Sequence, residues 1–248
     1  MFQVRATIIG PLGDIDVYPC HFGHIPGDHV VFDGEAFHGR LCPDLWGAVI
    51  PKMIALHQAG PRYVEWASYC PFWYCGNGVA DPEQAKHDGL GFRNILETIT
   101  PPGHDMATLA PPGAFTWPPS ETWSIAQQPG VVCPDTRTSM VVRLEAFDLS
   151  EKGYATPYFR RQMAILEKVR KNGGVTVDGI LGVFTQAERE EIYPPLGTVM
   201  VELLIEELEY MGYVERAAGL AVITGKGGAK LDAFKATLPA EHLEAWSY

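Results

Sequence analysis

The chain has 248 residues, 46% of them hydrophobic and 20% charged, and 30 acidic against 19 basic side chains give it a net charge of −11. The apolar and aromatic content excludes a disordered chain, and no apolar run reaches the roughly 18 residues that a membrane span needs. The acidic balance argues against nucleic acid as a bulk partner, because neutralising phosphate needs a basic face.

Taken in chain order, Gln3–Ile9 is expected to be a strand, with Val4, Ala6 and Ile8 on one face and Arg5 and Thr7 on the other. The start, MFQVRATIIG, lacks the basic region and long apolar core of a signal peptide, so a cytoplasmic protein is expected. A loop carrying Cys20, His21 and His24 follows, and Gly27-Asp28 leads into a short strand over His29–Phe32. Leu45, Val49, Met53 and Leu56 recur at helical spacing and predict a helix over Pro43–Gln58, stopped by Gly60-Pro61. Pro51 falls inside it and is expected to kink or break it. Met140–Phe147 alternates again as a last strand of this region.

Between them, residues 61–130 hold ten of the twenty prolines and four of the six tryptophans. Little of this stretch has helical or strand period, yet aromatic-poor linkers do not look like this. It reads as an ordered aromatic and proline-rich insertion, either a substrate lid or an oligomer contact.

Ser150–Pro157 marks a domain boundary, so the chain is read as 1–150 and 151–248. Phe159, Met163, Leu166 and Val169 predict a helix ending at Asn172-Gly173-Gly174. Thr185 and Glu188 carry a capping-box signal for a second helix. Leu196–Met211 has a continuous apolar stripe for a third, and residues 212–224 read as a hairpin before a last helix over Ala229–Leu238. The fold class is therefore α+β: a mixed sheet-and-helix domain with a long insertion, then a mainly helical domain.

The segment LLIEELEYMGYVERAAGLAVITGKGGAKLDAF resembles the third helix and wing of the winged-helix superfamily. That resemblance implies a helix for the DNA major groove. Leu196–Met211, however, contains no Lys or Arg and carries Glu202, Glu206, Glu207 and Glu209. Carboxylates repel phosphate and make no arginine–guanine contact. Residues 151–248 hold 11 basic against 14 acidic side chains, so the expected partner is a protein or a second copy of the chain. The N-terminal part is similar to a family of small prokaryotic cysteine-containing domains through Cys20, Gly23, Gly27-Asp28, Cys42-Pro43, Trp46 and Cys133-Pro134-Asp135. The resemblance implies a domain and no reaction.

All five cysteines, 20, 42, 70, 75 and 133, lie in the first domain, and 42, 70 and 133 each precede a proline. Cys-Pro recurs beside iron–sulfur ligands, and proline fixes the chain after the thiolate while removing one N–H. Cys20, Cys42, Cys133 and one of Cys70 or Cys75 are expected to hold an iron–sulfur cluster, [4Fe–4S] first, with tetrahedral zinc as the alternative. Core packing of buried thiols is the competing explanation, since the closest pair, Cys70 and Cys75, is wider than a C-x2-C unit. Asp44 and Asp135, each just after a Cys-Pro, are candidate general bases, with His21 and His24 as helpers and His104 as a further candidate beside Asp105. The competing role for Asp44 is capping a helix start.

No Walker A loop, dinucleotide fingerprint, serine-hydrolase elbow or H-E-x-x-H is present. The expected function is a metal- or cluster-binding protein, enzymatic as a lyase or redox catalyst acting on a small molecule. The rivals are a redox- or metal-sensing winged-helix regulator and a non-catalytic accessory subunit.

Overall fold

The computed structural model describes residues 1–11, 16, 19–62, 130–134 and 140–245. These divide into two compact units, one of residues 4–32 and 36–146, the other of 1–3, 33–35 and 147–248. Both mix helices with a small sheet, as an α+β chain requires. The expected aromatic insertion falls almost wholly outside the described residues.

The first unit is built on a sheet of order β3-β2-β1-β5-β4. In β1 (Phe2–Pro11), Phe2, Val4, Ala6 and Ile8 are buried and the residues between them are half-buried. This is the period of two expected when one face of a strand is covered. β5 (Met140–Leu149) repeats the pattern at Met140, Val142 and Leu144. β2 (His29–Phe32) runs antiparallel to β1 with Val4 opposite Phe32, and β3 (Phe37–His38) extends the edge with Phe37 opposite Phe32. At the other edge β4 (Gly130–Val132) pairs antiparallel with β5, Val131 facing Val142.

One helix, α1 (Pro43–Ala59), covers the inner face. Leu45, Val49, Met53 and Leu56 are each at most 2% exposed and share one hydrophobic cluster with Val4, Ala6, Ile8, Val142 and Leu144. Each such side chain contributes roughly 1.5–3 kcal/mol on burial. Of the two outcomes expected at Pro51, a break does not occur: α1 continues through it. Pro51 removes one donor, the one that would bond to the Gly47 carbonyl. Both residues lie on the exposed side, where solvent reaches that carbonyl, so the disruption stays local. The helix stops where predicted: Gly60 takes a positive φ of 59° and its N–H bonds to the Leu56 carbonyl.

In the second unit, α2 (Thr156–Lys171) is buried on nearly every side, through Phe159, Met163, Ile165, Leu166 and Val169 and also through Arg161, Gln162 and Glu167. Gln162 Nε2 donates to Glu207 at 2.7 Å, so neither buried polar group is left without a partner. After β6 (Val175–Thr176) and a 3-10 turn over Val177–Val183, the expected capping box opens α3 (Gln186–Glu190). Thr185 Oγ1 accepts from the Glu188 N–H at 3.2 Å, and Glu188 Oε2 accepts from the Thr185 N–H at 2.7 Å. α4 (Thr198–Tyr210) presents Val201, Leu204, Ile205 and Leu208 inward. β7 (Val214–Ala217) and β8 (Leu220–Ile223) form the predicted hairpin, and β8 lies between β6 and β7. The turn residues Ala218 and Gly219 both have positive φ, as a tight two-residue hairpin requires.

The next helix, α5 (Gly225–Ala236), begins four residues before the expected Ala229. Its cap is Thr224, whose hydroxyl accepts from the Gly227 N–H at 3.0 Å and donates to the Gly212 carbonyl at 2.7 Å. One of the glycines that look like a loop serves close approach: a Cβ on Gly227 would run into the Tyr213 carbonyl. A short helix, α6 (Ala240–Ala245), ends the described chain.

Candidate functional site

The cysteines are positioned by the ends of secondary-structure elements. Cys42 is the residue capping α1: extended backbone lets its Sγ accept from the Leu45 N–H at 3.3 Å, and Pro43 begins the helix where no N–H is missed. Cys133 follows β4, where its N–H donates to the Met140 carbonyl at 2.8 Å. Cys20 sits in the loop after β1 and its carbonyl accepts from the Gly23 N–H at 2.9 Å. Although far apart in sequence, the three border the same hydrophobic cluster. Cys42 and Cys133, 8% and 5% exposed, belong to the hydrophobic cluster beneath α1, and half-buried Cys20 packs against it.

Among the described residues no group of three or more His, Cys, Asp or Glu side chains is gathered to hold a metal ion. Cys70, Cys75, His104 and Asp135 lie outside the described residues. Asp44 is exposed in the first turn of α1, where a carboxylate is favoured by the helix dipole, and it forms no ion pair among the described residues. His21 is exposed as well.

His24 is different. It is only 3% exposed, and its Nδ1 lies 3.1 Å from Asp28 Oδ2. Asp28 also accepts from the Ile25 N–H at 3.2 Å. The hydrogen bonds from His24 first and Ile25 second hold the Asp28 carboxyl below its ordinary value, so it is ionised near neutrality. An ionised carboxylate takes the proton on Nδ1, which leaves the Nε2 of a neutral imidazole as a lone pair. That Nε2 is buried and has no hydrogen-bond partner among the described residues. His24 lines a small cavity of about 10 Å³ together with Ala6, Ile8, Leu41, Leu45, Arg40 and Val142. Leu41 and Leu45 flank Cys42 in sequence.

Carboxylate-oriented histidines with a bare Nε2 are the usual form of a metal-ligating or proton-accepting imidazole. The sequence places His24 among the helpers, but the pairing with Asp28 is not read from it, although a His four residues before an Asp is the available signal. Arg40 is also missed. Its guanidinium donates to the Phe22 carbonyl at 2.7 Å and stacks over the Phe22 ring at 4.8 Å, closing the loop over His24.

No helix among the described residues is long and apolar enough to cross a membrane. No family model, no curated protein and no solved structure matches the chain.

Proposed function

We propose that the N-terminal part is a thiolate site for an iron–sulfur cluster, or for zinc, and that it serves a lyase or redox reaction on a small molecule. The observation that supports this reading is that Cys20, Cys42 and Cys133 all border one hydrophobic cluster, whose Ala6, Ile8, Leu45 and Val142 also line the small cavity of the Asp28-paired His24. Thiolate ligands suit either metal, and a four-thiolate set would need Cys70 or Cys75, outside the described residues, to join Cys20, Cys42 and Cys133. A bound cluster would supply electron transfer, or Lewis acidity at an iron without a thiolate. Asp44 and Asp135 are the proposed bases, with His104 as a further one.

The C-terminal part is proposed to be a winged helix used for protein contacts. The element order α2-β6-α3-α4-β7-β8 and the sheet order β6-β8-β7 support it. The outer side of α4 carries Val199 at 78% exposure together with Glu202, Leu203 and Tyr210, and no Lys or Arg. That surface suits a protein better than phosphate.

The test is anaerobic purification with an absorption spectrum and analysis for iron, sulfide and zinc. A broad band near roughly 400 nm with about four irons per chain is expected, lost on Cys42→Ser or Cys133→Ser. One zinc per chain would retain the site and remove the redox chemistry. No metal after reconstitution would overturn the reading and leave the thiols as core residues. Salt-dependent retention on DNA would favour the regulator instead.

A further inference from the structure

The C-terminal unit contains a cleft of about 530 Å³ between α2 and the segment that carries α3 and the loop after it. This volume falls within the roughly 300–1,000 Å³ typical of small-molecule sites. Its apolar lining comes from Pro157, Ala164, Phe184, Ile192 and Tyr193. Ile192 and Tyr193 are 52% and 67% exposed, so the rim keeps apolar surface in water.

The charges around the cleft do not balance. Glu167 is already engaged by Arg170 at 2.7 Å, Lys235 at 2.8 Å and Lys171 at 3.7 Å. Glu188 spends one oxygen on Lys168 at 2.9 Å and the other on the Thr185 N–H. Arg161 donates to the carbonyls of Glu188, Ile192 and Pro194, which take three of its five N–H groups without cancelling its charge, while the Glu188 carboxylate acts on it through space. Arg160 is exposed on the same wall and has no acidic partner among the described residues. The cleft lining thus holds three cations, Arg160, Arg161 and Lys168, against two carboxylates, Glu167 and Glu188, both already engaged by other donors, which leaves one positive charge in excess beside the apolar wall.

We propose that this cleft binds a small monocarboxylate with an aromatic or alicyclic body, the carboxylate pairing with Arg160 and the ring lying against Phe184 and Ala164. A planar guanidinium matches a carboxylate in a two-bond fork, and Arg161 adds field without having to move. A neutral ligand would leave that charge unanswered. A dianion would exceed it, because Glu167 and Glu188 lie close by.

The probes are 1-naphthoate and its uncharged counterpart 1-naphthamide, titrated into the full-length protein and followed calorimetrically. Naphthoate is expected to bind about tenfold or more tightly than the amide, the size of one charge-assisted contact. Arg160→Ala is expected to abolish that preference, and Ala164→Phe, by filling the cleft, to weaken both probes. Equal affinity for acid and amide would overturn the proposal, as would naphthoate binding undiminished in Ala164→Phe, or no binding at roughly 1 mM. Arg160 is exposed, so Arg160→Ala keeps the test decisive should Ala164→Phe fail to fold.

Discussion

Arg161→Met removes the cation at the centre of the C-terminal unit while keeping most of its aliphatic volume. Arg161 is 3% exposed, and burial holds its guanidinium below its ordinary value despite the Glu188 charge nearby. Its nitrogens meet the Pro194 carbonyl at 2.8 Å, the Glu188 carbonyl at 2.7 Å and the Ile192 carbonyl, so one side chain on α2 ties down α3 and the loop following it. Met leaves three carbonyls without donors. At about 1 kcal/mol each, the loss is about 3 kcal/mol, less whatever water regains at the exposed Ile192. For a domain of this size that lowers the melting temperature by roughly 12–24 °C. Arg161→Lys is expected to recover little, because one ammonium cannot serve three diverging carbonyls and resists desolvation more than a guanidinium. Urea denaturation of the three proteins measures this directly. A loss below about 0.5 kcal/mol for Met would refute the reasoning, since it would mean that the carbonyls are as well served without the guanidinium.

Three further outcomes are expected. In metal-free protein, Cys42→Ala should be about 1 kcal/mol less stable than Cys42→Ser, because only the hydroxyl can still accept the Leu45 N–H; equal denaturation midpoints would deny Cys42 its capping role. Gly227→Ala should cost about 2 kcal/mol through its clash with the Tyr213 carbonyl, whereas Gly228→Ala, with nothing near its Cβ, should be neutral or stabilising; melting curves moving in the same direction would count against the close approach. Burial raises the Glu167 carboxyl, but Lys235 and Arg170 outweigh it, and the net value lies below the ordinary 4.5. Its contribution is therefore present above pH 4.5 and lost as pH falls through the lowered value. The urea midpoints of wild type and Glu167→Gln should stay a constant distance apart above that pH and converge below it; a gap that does not narrow would remove Glu167 as the source.

Local pattern alone was enough for several elements. The alternation of Val4, Ala6 and Ile8 marked β1, the stripe Leu45–Leu56 marked α1, and Thr185 with Glu188 marked the start of α3, because each signal depends only on neighbours along the chain. The breakers were less dependable. Pro51 lies within an α1 that continues past it because its lost hydrogen bond faces solvent, and α5 opens with Gly225 under the Thr224 cap, with Gly227 at the one position where the Tyr213 backbone comes too close for a Cβ. Both outcomes depend on which side of an element faces the core, and that is decided by the partner element.

The candidate sites divide in the same way. The sequence by itself determined the inventory: five cysteines, all before residue 134, His24 close to one of them, and an α4 segment with four glutamates and no Lys or Arg. Only the tertiary structure decided that Cys20, Cys42 and Cys133 border one cluster, that the His24 Nε2 is buried without a hydrogen-bond partner among the described residues, and that Arg160 and Arg161 line one cleft with Phe184 and Ile192. Convergence of residues distant in sequence is a property of packing. Burial, which fixes the cost of an unpaired charge or lone pair, comes from the elements that pack against it.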